Sequence, residues 1–220
     1  MTATKPRDVE ITELMVMLTT RCNRHCCDCL VKANGPEHRR DISMDELLLL
    51  SRYFKGISCL HLSGGEPTLH EEFDIIVPKL RDMFDCEHLV MTTNGYGLNR
   101  YFNTCMMFDG IYVSLYPDNF CREDSTNKSE INQFVSRLDG IGNPTVHIGT
   151  LAPGDHAHID LVPRGVQVCS RGNLGYAVYC DNKLYPCCVM QEGVQVGPYW
   201  REDLASVPMD CDACFMRCMG

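Results

Sequence analysis

The stretch TTRCNRHCCDCL, residues 19–30, places four cysteines within twelve residues, directly after an apolar run. Three of them have the spacing C-x3-C-x2-C: Cys22, Cys26 and Cys29. Cys27 falls outside that spacing. Thiolates are the usual ligands of iron–sulfur clusters, and three of them would leave one iron of a [4Fe–4S] cluster open to a further ligand. A zinc site completed by His25 is the alternative that the spacing leaves open.

The composition of the 220-residue chain is that of a soluble globular protein, with 45% hydrophobic and 22% charged residues. No apolar run reaches the roughly 20 residues that span a bilayer, and the N-terminus shows no signal-peptide core, so we expect a cytoplasmic protein without a membrane partner. The net charge of −9 makes nucleic-acid binding an unlikely role and favours a small-molecule substrate. The 15 cysteines indicate metal binding or catalysis, because disulfides are rare in that compartment.

Short apolar strands alternate with helical patterns along the first 150 residues. The patterns predict strands at 13–20, 58–65, 88–95, 109–117 and 145–150, and helices at 43–55, 71–84, 98–108 and 127–142. This alternation predicts an α/β fold with parallel strands. We expect a partial (β/α) barrel of five to six strands, with a doubly wound open sheet as the alternative.

After residue 151 the strand–helix alternation gives way to a loop-rich segment and then to cysteine-rich sequence with short strand-like runs. We expect a domain boundary within 151–168. We therefore predict two domains, a core at 1–155 and a small cysteine-rich hairpin domain at 156–220. The hairpin AVYCDNKLYPC, residues 177–187, turns at Asp181-Asn182. Outside the clusters, we expect Cys59, Cys86, Cys105 and Cys180 to pack as small apolar side chains.

Two further motifs follow the second and third predicted strands: GGEP at Gly64, Gly65, Glu66 and Pro67, and TTNG at 92–95. Together with the cysteine loop, they make residues 11–150 resemble the radical S-adenosylmethionine (SAM) superfamily. The resemblance implies a partial barrel whose site lies at the carboxyl ends of the strands. It also implies that Cys22, Cys26 and Cys29 ligate a [4Fe–4S] cluster and that SAM binds the open iron.

The same resemblance implies SAM contacts from named positions. The GGEP backbone and Glu66 would hold the SAM amino group, since glycines allow close backbone approach and a carboxylate pairs with an ammonium. Asn94 of the TTNG motif joins this set, Ser114 would contact the ribose or the methionyl end, and residues 147–150 would line the adenosine pocket. Where the family usually has an aromatic residue before the third cysteine, this chain has Asp28, so only a backbone contact with adenine is expected there.

The cysteine-rich tail resembles the twitch domain, a shortened form of the SPASM extension of radical SAM enzymes. Matched to that domain, the ligands of one auxiliary [4Fe–4S] cluster are Cys169, Cys187, Cys211 and Cys214. Cys188 and Cys218 are alternative ligands. A structural zinc ribbon with four cysteine ligands is the competing interpretation of the same spacing.

The resemblance implies an enzyme that cleaves SAM to a 5′-deoxyadenosyl radical and abstracts hydrogen from its substrate, with a flavodoxin or ferredoxin type reductant. We expect a small polar substrate, such as a sugar, aminocyclitol, nucleoside or modified base, that is oxidised, epimerised or rearranged. A peptide-modifying enzyme and a non-catalytic iron–sulfur or zinc protein are the alternatives.

Overall fold

Eight strands form one open sheet in the computed structural model, which describes residues 11–26, 29, 40–115, 128–150, 176–185 and 194–196. The strands are β1 (Glu13–Thr19), β2 (Cys59–Gly64), β3 (His88–Thr93), β4 (Gly110–Leu115), β5 (Thr145–Thr150), β6 (Tyr176–Cys180), β7 (Lys183–Tyr185) and β8 (Val194–Gln195). Their order is β5-β4-β3-β2-β1-β6-β7-β8. In this order, each strand from β5 to β1 pairs in parallel with the next, and β1 pairs in parallel with β6. β7 pairs antiparallel with β6, and β8 pairs antiparallel with β7.

Four helices follow the first four strands: α1 (Met44–Tyr53), α2 (Phe73–Phe84), α3 (Phe102–Cys105) and α4 (Lys128–Arg137). The predicted start of α1 is confirmed, because Ser43 and Glu46 form a reciprocal capping box. α2 continues through Pro78, which lies on its exposed side. α3 is much shorter than predicted: the chain before Phe102 forms turns, and the Asn99 side chain donates to the Glu130 carbonyl at 2.7 Å.

The main hydrophobic core lies between these helices and one face of the sheet. Side chains of successive strand residues point to opposite faces, so Leu14 and Val16 join this core while Met15 packs with Val178 on the other face. The largest fully buried side chains belong to the helix-side core and include Phe54, Phe73, Phe84, Phe108 and Phe134.

The buried apolar residues of all four described helices belong to that single core. A doubly wound sheet would carry helices on both faces. The α/β class with a mostly parallel, unclosed sheet is therefore confirmed, and the arrangement is consistent with a partial barrel.

The predicted hairpin is confirmed as β6 and β7, joined by Asp181-Asn182. Its first strand pairs in parallel with β1, with Leu14 opposite Ala177. The hairpin thus extends the core sheet, and it lies beside the strand that leads into the cysteine loop. The division into domains at 1–155 and 156–220 stays a prediction.

Candidate functional site

The cysteine loop leaves the sheet at the end of β1 and returns through an antiparallel bridge between Thr19 and Asp41. The Thr20 N–H donates to the Arg40 carbonyl at 2.9 Å, and the Arg40 N–H donates to Thr20 Oγ1 at 2.9 Å. We call these four residues, Thr19, Thr20, Arg40 and Asp41, the loop neck. It fixes both ends of the cysteine loop at the carboxyl edge of the sheet.

Asp41 secures the neck to the first residue of the loop. Its carboxylate accepts the Thr19 hydroxyl at 2.6 Å and forms an ion pair with Arg21. Burial alone would raise the pKa of Asp41, but the hydrogen bonds from Thr19 and Arg21, with the nearby His70, outweigh it and lower that pKa. The carboxylate is therefore held in its charged form at the base of the loop.

The GGEP segment lies directly against the start of the cysteine loop. The Gly65 N–H donates to the Thr19 carbonyl at 2.7 Å, and the Glu66 N–H donates to the Arg21 carbonyl at 2.8 Å. A Cβ on Gly65 would lie 2.2 Å from the Arg21 carbonyl oxygen. Glycine is therefore needed at this position because two backbones meet there.

The Glu66 carboxylate joins β2 to β3 and is fully buried. One of its oxygens accepts the Thr68 N–H at 3.2 Å and the hydroxyls of Thr68 and Thr93, each at 2.7 Å. The other accepts the Asn94 N–H at 2.7 Å. Burial raises the pKa of Glu66, and these donors oppose the shift. The expected contact between Glu66 and the SAM amino group stays a prediction; in the structure this carboxylate orders the two turns.

Asn94 continues the same network into the cysteine loop. Its Nδ2 donates to Asn23 Oδ1 at 2.8 Å and to Cys22 Sγ at 3.8 Å, and its Oδ1 accepts the Tyr96 N–H at 3.1 Å. The cysteine loop, GGEP and TNG are thus hydrogen-bonded to one another. We call this set of three segments the motif unit.

Cys22 is the cysteine of the loop that the motif unit holds most directly. Its sulfur also accepts the Arg24 N–H at 3.4 Å. Burial raises the pKa of Cys22 to about 11, and the nearby Glu66 and Cys29 act in the same direction. A metal cluster would bind Cys22 as the thiolate, and its positive charge would offset the effect of burial.

The three predicted cluster ligands are all half-buried. Within the described ranges, however, no group of three Cys, His, Asp or Glu side chains converges closely enough to hold a metal ion. The sulfur chemistry fits an iron–sulfur cluster, while the convergence of Cys22, Cys26 and Cys29 on one cluster stays a prediction. His25, the ligand of the zinc alternative, is exposed.

The other predicted SAM-contacting residues lie around the same edge of the sheet where they are described. Pro67 is buried and begins a short 3₁₀ helix. Ser114 is half-buried on β4, opposite Gly149 of β5. Asp28 and all predicted auxiliary ligands lie outside the described residues: Cys169, Cys187, Cys188, Cys211, Cys214 and Cys218.

Sequence reasoning assigned His147 to the adenosine pocket but missed the other members of a row of polar side chains on the sheet face away from the helices. His61 Nε2 shares a hydrogen bond of 2.7 Å with Thr92 Oγ1. The Tyr112 ring stacks on His147 with ring centroids 4.9 Å apart. His61 is paired with Met15, whose side chain lies on the sheet face opposite the main core. Because side chains alternate between the two faces of a strand, counting alternate residues on each predicted strand would have found this row.

Comparisons with known proteins found similarity over the part of the chain that contains these motifs. Residues 16–115 match the sequence model of the family described as "Radical SAM superfamily". A 92-residue segment, 40% of the chain, is 38% identical to a GTP 3′,8-cyclase of Pectobacterium atrosepticum. A 93-residue segment, also 40% of the chain, is 33% identical to the Molybdenum cofactor biosynthesis protein 1 of Drosophila melanogaster. These alignments cover 28% and 16% of the two relatives, so the chain matches less than a third of either one.

A solved structure shows the same fold over most of the chain. The crystal structure of BtrN in complex with AdoMet and 2-DOIA superposes with a TM-score of 0.58 at 18% identity. The superposition covers 83% of this chain and 75% of BtrN. The family match over residues 16–115 and the relatives together point to an enzyme. No helix in the described part of the chain has the length and apolar character needed to cross a membrane.

Proposed function

We propose that this chain is a radical SAM enzyme acting on a small polar substrate. The observation that carries the proposal is the motif unit: Glu66 and Asn94 tie the cysteine loop, GGEP and TNG together at the carboxyl ends of β1, β2 and β3. Sites of parallel α/β folds lie at this end of the strands. A merely structural iron–sulfur loop would have no need of two additional ordered turns.

The residues present suit a [4Fe–4S] cluster and SAM in their chemistry. Cys22, Cys26 and Cys29 would hold the cluster, and the backbone of Gly64 and Gly65 would lie beside SAM. When bound, these groups supply a 5′-deoxyadenosyl radical by reductive cleavage of SAM. The protein's own part is to fix the cysteine loop through the neck, to order the turns through Glu66, and to shield the site from water.

The polar row on the other sheet face supports the substrate class. His61 and Thr92 are buried and hydrogen-bonded to each other, while Tyr112 is half-buried and His147 is exposed. Hydroxyl and imidazole groups on a strand face can hydrogen-bond hydroxyl, amino or carbonyl groups of a ligand. One curated relative is named for a reaction of GTP, itself a small polar molecule.

The C-terminal cysteines are part of the same proposal. Cys169, Cys187, Cys211 and Cys214, with Cys188 and Cys218 as alternatives, would bind one auxiliary [4Fe–4S] cluster. A cluster closed by four thiolates would exchange electrons with the substrate or order it. A flavodoxin or ferredoxin type protein would reduce the cluster of the cysteine loop.

The test is SAM cleavage by the anaerobically reconstituted protein, followed as 5′-deoxyadenosine in the presence of dithionite. The assay is repeated with a panel of sugars, aminocyclitols, nucleosides and nucleotides, including GTP. We expect cleavage in wild type, its loss in Cys26→Ala, and its retention in Cys105→Ala, whose thiol is buried in the core. Absence of cleavage in wild type, or cleavage by Cys26→Ala, would contradict the proposed function.

Stimulation by a compound of the panel would identify the substrate class. Stimulation by none of them, but by a peptide, would contradict the assignment of a small polar substrate while leaving the radical SAM chemistry in place.

A further inference from the structure

The loop neck makes a second set of contacts, to the C-terminal hairpin. The Arg40 guanidinium donates from Nη1 to Asp181 Oδ1 at 3.3 Å and from Nη2 to Asn182 Oδ1 at 3.0 Å. Nη2 also forms an ion pair with Glu46 of α1. One side chain therefore joins the exit of the cysteine loop and the nearby start of α1 to the hairpin turn, which is about 140 residues away in sequence.

Tyr179 of β6 completes the cluster of side chains around Arg40. Its hydroxyl lies 3.1 Å from Glu46 Oε1 and 3.1 Å from Asn182 Oδ1. The side chain of Glu46 is 18% exposed and that of Arg40 34% exposed, so the guanidinium is partly desolvated. A planar guanidinium with several fixed acceptors is held more rigidly than an isolated surface ion pair.

The turn itself gives an independent indication. Asp181 and Asn182 both have positive φ angles, 49° and 65°, as a two-residue turn of type I′ requires. The second position of such turns favours glycine, which has no Cβ. This chain has Asn182 there, and the Asn182 amide oxygen is the atom that Arg40 and Tyr179 contact. Asparagine tolerates a positive φ, and it supplies a side-chain acceptor that glycine lacks.

We propose that Arg40 is a positioning residue that holds the C-terminal hairpin against the neck of the cysteine loop. Cys187 and Cys188 follow the hairpin closely in sequence, so this contact sets where the C-terminal cysteine segment starts relative to Cys22, Cys26 and Cys29. The contact between Arg40 and the hairpin is independent of the proposed function. The effect of this contact on a cluster in the cysteine loop rests on the proposed function.

A double-mutant cycle tests the contact. Arg40→Gln removes the guanidinium, and Asn182→Gly removes one of its three acceptors while giving the turn its favoured residue. Hydrogen exchange of the amides in 176–185 is measured in the holoenzyme of each variant. We expect about 3–10-fold faster exchange in each single variant, the range for a partly buried ion pair and its hydrogen bonds. The double variant should exchange no faster than Arg40→Gln alone, and Arg52→Gln, elsewhere on α1, should match wild type.

A second measurement tests the positioning role. We expect Arg40→Gln and Asn182→Gly to change both the electron paramagnetic resonance spectrum and the midpoint potential of the cluster in the cysteine loop. Arg52→Gln should leave both unchanged. Unchanged exchange, additive effects in the double variant, or an unchanged spectrum in both single variants would overturn the proposal. A wild-type protein without any such cluster would contradict the proposed function instead, while the exchange cycle would still decide the contact.

Discussion

The Asn94 N–H donates to the Glu66 carboxylate at 2.7 Å, and this bond joins the carboxyl ends of β3 and β2. Glu66 and Asn94 are 28 residues apart in sequence, and each belongs to a separate short motif. Through this bond and the one from the Thr93 hydroxyl, the buried carboxylate of one motif is satisfied by donors of the other. The Asn94 side chain in turn donates a hydrogen bond to Cys22 Sγ.

Glu66→Gln should destabilise the protein although the side chains have the same shape. Glutamine has a single acceptor oxygen and an NH₂ group, which would face either the Asn94 N–H or the donors of Thr68 and Thr93. At least one buried donor would lose its partner, at a cost of about 1–3 kcal/mol. The free energy of unfolding, measured in urea, checks this value.

The control for that substitution is Glu72→Gln, because Glu72 is exposed and its side chain makes no capping hydrogen bond at α2. We expect its free energy of unfolding to stay within about 0.5 kcal/mol of wild type. Equal stability of Glu66→Gln and Glu72→Gln would refute the role given to Glu66.

Gly65→Ala tests the contact between GGEP and the cysteine loop. The added Cβ would lie 2.2 Å from the Arg21 carbonyl oxygen, so one of the two backbones must move. We expect destabilisation of about 3 kcal/mol, the upper range for overpacking. Gly142→Ala is the matched control, since a Cβ there meets nothing within 4 Å. Similar thermal unfolding temperatures of both variants would show that the backbones at Gly65 and Arg21 do not approach each other closely.

Local patterns sufficed to predict the strands of the core, the capping box of α1 and the hairpin. Each of these depends on neighbouring residues: strand alternation, Ser43 three residues before Glu46, and a polar pair between two strands. The cysteine spacing and the two glycine-containing motifs likewise singled out the three segments that the structure joins by hydrogen bonds.

The contacts of Glu66 and Arg40 could not be predicted in that way. Glu66 contacts Thr93 at the end of β3 and Asn94 directly after it. The partners of Arg40 on the hairpin are about 140 residues away in sequence. Such pairs become neighbours only through the order of strands in the sheet, and in particular through β6 pairing with β1. The sequence shows a hairpin but does not show which strand it joins.

His61→Gln tests the polar row. If the row contacts the substrate, the variant should keep the substrate-free rate of 5′-deoxyadenosine formation. It should lose about tenfold in the stimulated rate with the compound that the panel identifies, the effect of one buried hydrogen bond. His88→Gln, exposed at the start of β3, serves as the control. An equal stimulated rate in both variants would remove His61 from the substrate site.

Acid should destabilise the fold in part through Asp109. Burial alone would raise the pKa of Asp109, but hydrogen bonds from the Leu89 N–H and Arg81 outweigh it and lower that pKa. The stabilisation is therefore complete above the unfolded-state pKa of about 4 and is lost as the pH falls through the lower folded-state value.

Urea unfolding at neutral pH and below pH 4 measures this contribution. Asp109→Asn should be less stable than wild type at neutral pH, and the difference should shrink in acid. The exposed Asp82 provides the control substitution, Asp82→Asn. A constant difference between Asp109→Asn and wild type across this range would contradict the assignment.

The most direct measurement of the central claim is iron and acid-labile sulfide per chain after anaerobic reconstitution, with zinc counted in the same sample. Wild type should hold about eight irons in two [4Fe–4S] clusters. Cys26→Ala should lose about four of them, and Cys105→Ala should lose none. Iron content that does not change in Cys26→Ala, or zinc bound in place of iron and sulfide, would contradict a radical SAM cluster in the cysteine loop.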